Sequence, residues 1–114
     1  MTIMDIVKIT IAVATIGFGM LSVVAPKSAE KFTGLTAPGP RGISEIRSVL
    51  GGMFVGLGAA ALIYQDPSSY GTLGIGYLGI GVVRAGSIVF DKASTASNWS
   101  SLGFEIICGT LLLL

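Results

Sequence analysis

The chain has 114 residues, room for one domain, of which 52% are hydrophobic and 11% charged. With a mean hydropathy of +0.84 and far fewer charges than the roughly 25% of a soluble domain, this is a membrane protein's composition. Seven Lys and Arg against six Asp and Glu leave a net charge of +1, which excludes the basic face that a nucleic-acid partner requires.

One cysteine, Cys108, and no histidine exclude an internal disulfide, a CxxC redox pair, a histidine-ligated metal and Ser-His-Asp hydrolysis. No catalytic residue, metal or cofactor is expected, and the chain is not expected to be an enzyme.

The first expected span is 6–25, a 20-residue apolar run interrupted by Lys8, about 30 Å long as a helix and so matched to a bilayer's hydrocarbon core. Asp5 and Pro26 fit a signal peptide badly, so a retained helix is expected. Residues 26–42, PKSAEKFTGLTAPGPRG, hold Pro26, Pro38 and Pro40 with Lys27, Glu30, Lys31 and Arg41. They read as a polar loop, with room for a short interfacial helix over Ser28–Phe32.

The second span is expected over 43–64, with Glu45 and Arg47 in its first turns, ending at the turn signal Gln65-Asp66-Pro67. The third covers 70–90 and contains Arg84. The fourth covers 99–114, starts at the interface-preferring Trp99 and contains Glu105. It is short, about 24 Å of helix. The expected fold is all-α: an integral membrane antiparallel bundle of four transmembrane helices in a single domain.

Lys27, Lys31, Arg41 and Lys92 lie on the two loops 26–42 and 91–98. The positive-inside rule makes those loops cytoplasmic and both termini external. The expected location is the cytoplasmic membrane of a prokaryote, in contact with membrane lipid and with a protein partner or a second copy.

Gly74-Ile75-Gly76-Tyr77-Leu78-Gly79 matches a dinucleotide-binding GxGxxG but lacks the βαβ context that the fingerprint needs. In an apolar helix, glycines let backbones approach closely, so Gly74 and Gly81 on span three, and the GxxxG pair Gly52 and Gly56 on span two, are expected to pack helices. Asn98-Trp99-Ser100 fits a glycosylation acceptor, but on a loop expected in the cytoplasm the match is taken as chance.

The charges inside the spans carry the chemistry. In antiparallel helices, Arg84 is about 10 Å from the end of span three and Glu105 about 9 Å into span four, while Glu45 lies in the first turn of span two, all on the same side. Glu45 shares its helix face with Ser48, Gly52 and Gly56; Arg84 shares its own with Tyr77, Gly81, Ser87 and Asp91; Glu105 shares its own with Ser101, Cys108 and Gly109. Each face is small or polar, as an interior face should be. Because an unpaired Arg in mid-membrane costs about 2.5–3.5 kcal/mol, the expectation is a buried network of Arg84 with Glu45 and Glu105. Arg47, Asp91 and Tyr77 take secondary roles.

RGISEIRSVLGGMFVGLG, GIGVVRAGSIVFD and GFEI together resemble the membrane family catalogued as domain of unknown function 4345, within the DoxX-like group of small four-helix proteins. The resemblance implies a four-span bundle whose charged positions match Glu45, Arg47, Arg84 and Glu105, and it brings no established activity. Some DoxX-like relatives are linked to quinone or thiol redox chemistry, and this chain lacks the thiol branch's cysteine pair.

Three functions follow as expectations. The first is an accessory or scaffold subunit of a larger membrane complex, held together by its own charge network. The second is a small proton-coupled transporter in which Glu45 or Glu105 titrates. The third is a quinone- or lipid-binding module walled by Tyr64, Tyr77 or Trp99.

Overall fold

The computed structural model describes residues 1–114, and all of its regular structure is helical. Helix α1 (Ile3–Val24) opens with a reciprocal cap: Thr2 N–H donates to Asp5 Oδ2 at 2.7 Å, and Asp5 N–H donates to Thr2 Oγ1 at 3.2 Å. It stops before Pro26, whose ring disfavours helical backbone at Ala25 (φ −132°, ψ 69°).

The segment expected as a polar loop, 26–42, is in part helical. Pro26 is tolerated in a first turn because the N–H it lacks would have no helical partner there, so it starts α2 (Pro26–Thr33). Gly34 ends α2 in the left-handed region at φ 80°, its N–H donating to the Glu30 carbonyl at 2.8 Å.

Helix α3 (Pro40–Tyr64) begins three residues before the expected 43, again with a proline in its first turn. Its ends, Pro40–Glu45 and Phe54–Tyr64, are α-helical, while Ile46–Met53 between them is π-helical. After Asp66, α4 runs over Pro67–Phe90; after Thr95, α5 runs over Ala96–Leu113. Each has a side-chain cap, with Ser69 N–H donating to Asp66 Oδ1 at 2.7 Å and Asn98 N–H to Thr95 Oγ1 at 3.1 Å.

Three helices, α1, α3 and α4, are long and apolar enough to cross a membrane. Four were expected. The fourth, α5, has 18 residues and a length of about 27 Å, but Ser97, Asn98, Ser100 and Ser101 make its first turns polar. The surface is apolar, with Val83 73%, Ile63 74% and Phe90 86% exposed, an exterior suited to lipid contact.

The contacts divide the chain into two units, Ile9–Tyr64 and Met1–Lys8 with Gln65–Leu114. In the first, Phe18 of α1 packs its ring against Phe32 at 5.6 Å and Phe54 at 5.2 Å. There α1 and α3 meet backbone to backbone: a Cβ on Gly19 would lie 2.8 Å from the Gly51 carbonyl oxygen, and one on Gly58 would lie 2.9 Å from that of Ala12. Only glycine allows that approach.

In the second unit α4 and α5 form an antiparallel hairpin, successive positions up α4 meeting successive positions down α5. Gly74 lies against Gly109, Gly81 against Ile106, and Arg84 against Asn98. Near the N-terminus of α1, Lys8 Nζ sits 5.5 Å from the centre of the Tyr70 ring, a cation–π distance.

Candidate functional site

The α4–α5 hairpin joins its two charges. Arg84 Nε donates to Glu105 Oε1 at 2.8 Å and Nη2 donates to Oε2 at 2.7 Å, a bidentate fork of the kind that planar guanidinium and carboxylate groups favour. Glu105 is 6% exposed, so its charge is kept in the helix interface by this partner. Nη1 of Arg84 donates to Asn98 Oδ1 at 2.8 Å, and Asn98 Nδ2 in turn donates to the Ala93 carbonyl at 2.9 Å. The guanidinium is thus braced by two turns of α5, and the same asparagine ties α5 to the loop that precedes it.

Beside this cluster an open groove of about 550 Å³ runs along α4, lined by Gly79, Ile80, Val83, Arg84, Ser87 and Asn98. Its Gly79–Val83 end is apolar. At the other end Ser87 Oγ donates to Asp91 Oδ2 at 2.6 Å. Tyr77, two turns before Arg84 on α4, is buried and meets Phe104 of α5 edge to face, with ring centres 5.9 Å apart.

The family described as "Domain of unknown function (DUF4345)" matches residues 3–114. The chain belongs to the DUF4345 family. No curated protein and no solved structure matches it.

Of the four charged positions that carry the DUF4345 resemblance, Arg84 and Glu105 meet, whereas Glu45 and Arg47 are engaged within their own unit. Glu45, expected to join Arg84, is half exposed and its carboxylate pairs with Arg41 one turn earlier on α3. The earlier start of α3 is the reason, because it puts Arg41 four residues before Glu45 on a continuous helix. Arg47 Nη1 donates to the Val23 carbonyl at 2.5 Å, satisfying one of the carbonyls that the last turn of α1 leaves without a helical partner. Asp91 is the exposed cap residue at the end of α4.

The glycines of the same helix divide into two sets. Gly52 and Gly56 face outward, with nothing within 4 Å of a built Cβ, and the close approaches belong to Gly51 and Gly58. On α4, Gly74 and Gly81 do lie against α5, where a Cβ would be 2.9 Å from the Gly109 carbonyl oxygen and 2.9 Å from Ile106 Cδ1. Asn98, whose match to a glycosylation acceptor is a chance one by sequence, is the partner of Arg84 Nη1. Two signals in the DUF4345 chain bear on it: its place three residues after a Thr N-cap, and its level opposite Arg84 when antiparallel helices are counted.

Proposed function

We propose that this chain is a four-span integral membrane protein without a catalytic role, acting as an accessory or scaffold subunit of a larger membrane complex. Its basic loops face the cytoplasm. The observation that carries the reading is the glycine pair Gly52 and Gly56, which meet nothing within 4 Å of a built Cβ in their own unit. Exposed small residues four apart on an apolar helix suit the close approach of another helix in lipid, where association depends on backbone proximity. The fourth span of the proposal is α5, which at about 27 Å crosses the hydrocarbon core with little tilt and places Trp99 at an interface.

The paired state of Glu105 favours this reading over proton-coupled transport. Both of its oxygens accept from Arg84, an arrangement suited to a fixed clamp rather than to a carboxylate that exchanges protons with water. Gentle extraction from the native membrane, followed by identification of co-purifying protein, tests the proposal. A stoichiometric partner lost on Gly52→Ile is expected. A chain that purifies alone, or a partner retained by Gly52→Ile, would overturn it.

A further inference from the structure

The groove beside Arg84 has a donor-rich end and an apolar end. A guanidinium carries five N–H donors, and Arg84 uses three of them, two on Glu105 and one on Asn98. One N–H on Nη1 and one on Nη2 remain. The side chain is 29% exposed and lines the groove. Asn98 Nδ2 also keeps a second N–H after donating to Ala93. Ser87 donates its hydroxyl proton to Asp91, so its oxygen can still accept. Glu105 occupies the Nε–Nη2 edge of the guanidinium. From this end the groove continues past Val83 and Ile80 to Gly79, about 12 Å along the helix from Ser87. At Gly79 nothing lies within 4 Å of a built Cβ.

We propose that this groove binds a single-chain acidic amphiphile, a long-chain fatty acid, whose carboxylate accepts from Arg84 and Asn98 and whose first methylenes lie along Val83, Ile80 and Gly79. The three unengaged donors of Arg84 and Asn98 call for a head with two acceptor oxygens, and the apolar remainder calls for a tail. The guanidinium is held between Asn98, in the first turn of α5, and Glu105, two turns further in. Apart from Asn98, the lining residues run along one face of α4, a narrow track that suits one chain better than a two-tailed lipid.

The test is equilibrium binding of radiolabelled palmitate to the full chain in phosphatidylcholine nanodiscs. Saturable binding is expected, weakened roughly tenfold or more by Gly79→Leu, which fills the groove. Gly76→Leu is the control: that position is equally open but lies outside the groove lining, and binding should be unchanged. Asn98→Asp keeps an oxygen for Arg84 while adding a negative charge at the head position, and it should weaken binding as well. Absence of saturable binding, or equal effects of Gly79→Leu and Gly76→Leu, would overturn the proposal. So would displacement of palmitate by phosphatidylglycerol at equal mole fraction, which would assign the groove to phospholipid.

Discussion

Arg84 and Glu105 share two hydrogen bonds, at 2.8 and 2.7 Å, across the α4–α5 interface. Neither charge is suited to that environment alone. The pair is tolerable there because the fork satisfies both carboxylate oxygens at once, while Asn98 takes a further donor of the guanidinium. What this arrangement secures is register: it fixes which turn of α4 lies beside which turn of α5.

Removing one partner should therefore cost more than removing both. Arg84→Gln leaves a buried carboxylate, and Glu105→Gln leaves a cation in the hairpin; each should destabilise by about 3 kcal/mol. The double variant, with two neutral amides able to hydrogen-bond, should recover part of that loss. Accumulation in the membrane and unfolding in mild detergent measure it. A double variant as unstable as the sum of the singles would mean that the two charges act separately.

The spans and the Arg84–Glu105 juxtaposition come from properties that sequence displays directly. Apolar run length marks α1, α3 and α4, and counting residues from Asp91 and Trp99 brings position 84 level with 105. Glu45 was harder to read, because its partner depends on where α3 starts. Pro40 in the first turn, with Arg41 and Glu45 four apart, is the local signal, and the prolines and glycines around it mask the helix start. The π-helical stretch Ile46–Met53 has no such signal. Its i→i+5 bonding widens the turn, so each residue advances by less than the ~100° of an α-helix. A stripe extrapolated at α-helical spacing from Glu45 to Gly52 and Gly56 drifts off the packed face, and Gly51 and Gly58 take the contact with α1 instead.

Glycines on one helix should respond oppositely to the same substitution. Gly74→Ala puts a methyl group 2.9 Å from the Gly109 carbonyl oxygen, forcing the helices apart at a cost of about 1–3 kcal/mol. Gly76→Ala adds the same methyl group to open space and should stabilise by about 0.5–1 kcal/mol, because alanine loses less backbone entropy in a helix. Unfolding midpoints of the two variants, compared with the parent chain, decide the matter. Equal shifts would contradict the close α4–α5 approach.

Asp66 supplies a pH dependence outside the spans. Hydrogen bonds from the Ser69 side chain and backbone N–H hold its carboxyl below the usual carboxylate range. A lowered folded-state value means that the cap's contribution is complete above the unfolded carboxylate value and is lost as pH falls through the folded one. Amide exchange protection at Ser69 and Tyr70 should stay level from neutral pH down to the usual carboxylate range and drop below it. Asp66→Asn, still a good N-cap, should remove the dependence. If the acid-induced loss persists in that variant, another group is responsible.

The two arginines near the start of α3 should differ sharply in importance. Arg41 and Glu45 form an exposed i,i+4 pair on one helix, the kind of contact worth at most about 0.5 kcal/mol. Arg47 reaches another helix, donating to the Val23 carbonyl at 2.5 Å, a charge-assisted bond worth about 1.5 kcal/mol or more. Arg47→Leu should therefore fray the last turn of α1, seen as faster amide exchange at Val24 and Ala25, and lower the unfolding midpoint. Arg41→Leu should leave both nearly unchanged. The asymmetry follows from what each bond joins: one links two turns of a helix that forms without it, the other holds together two helices whose backbones already touch at Gly19 and Gly51.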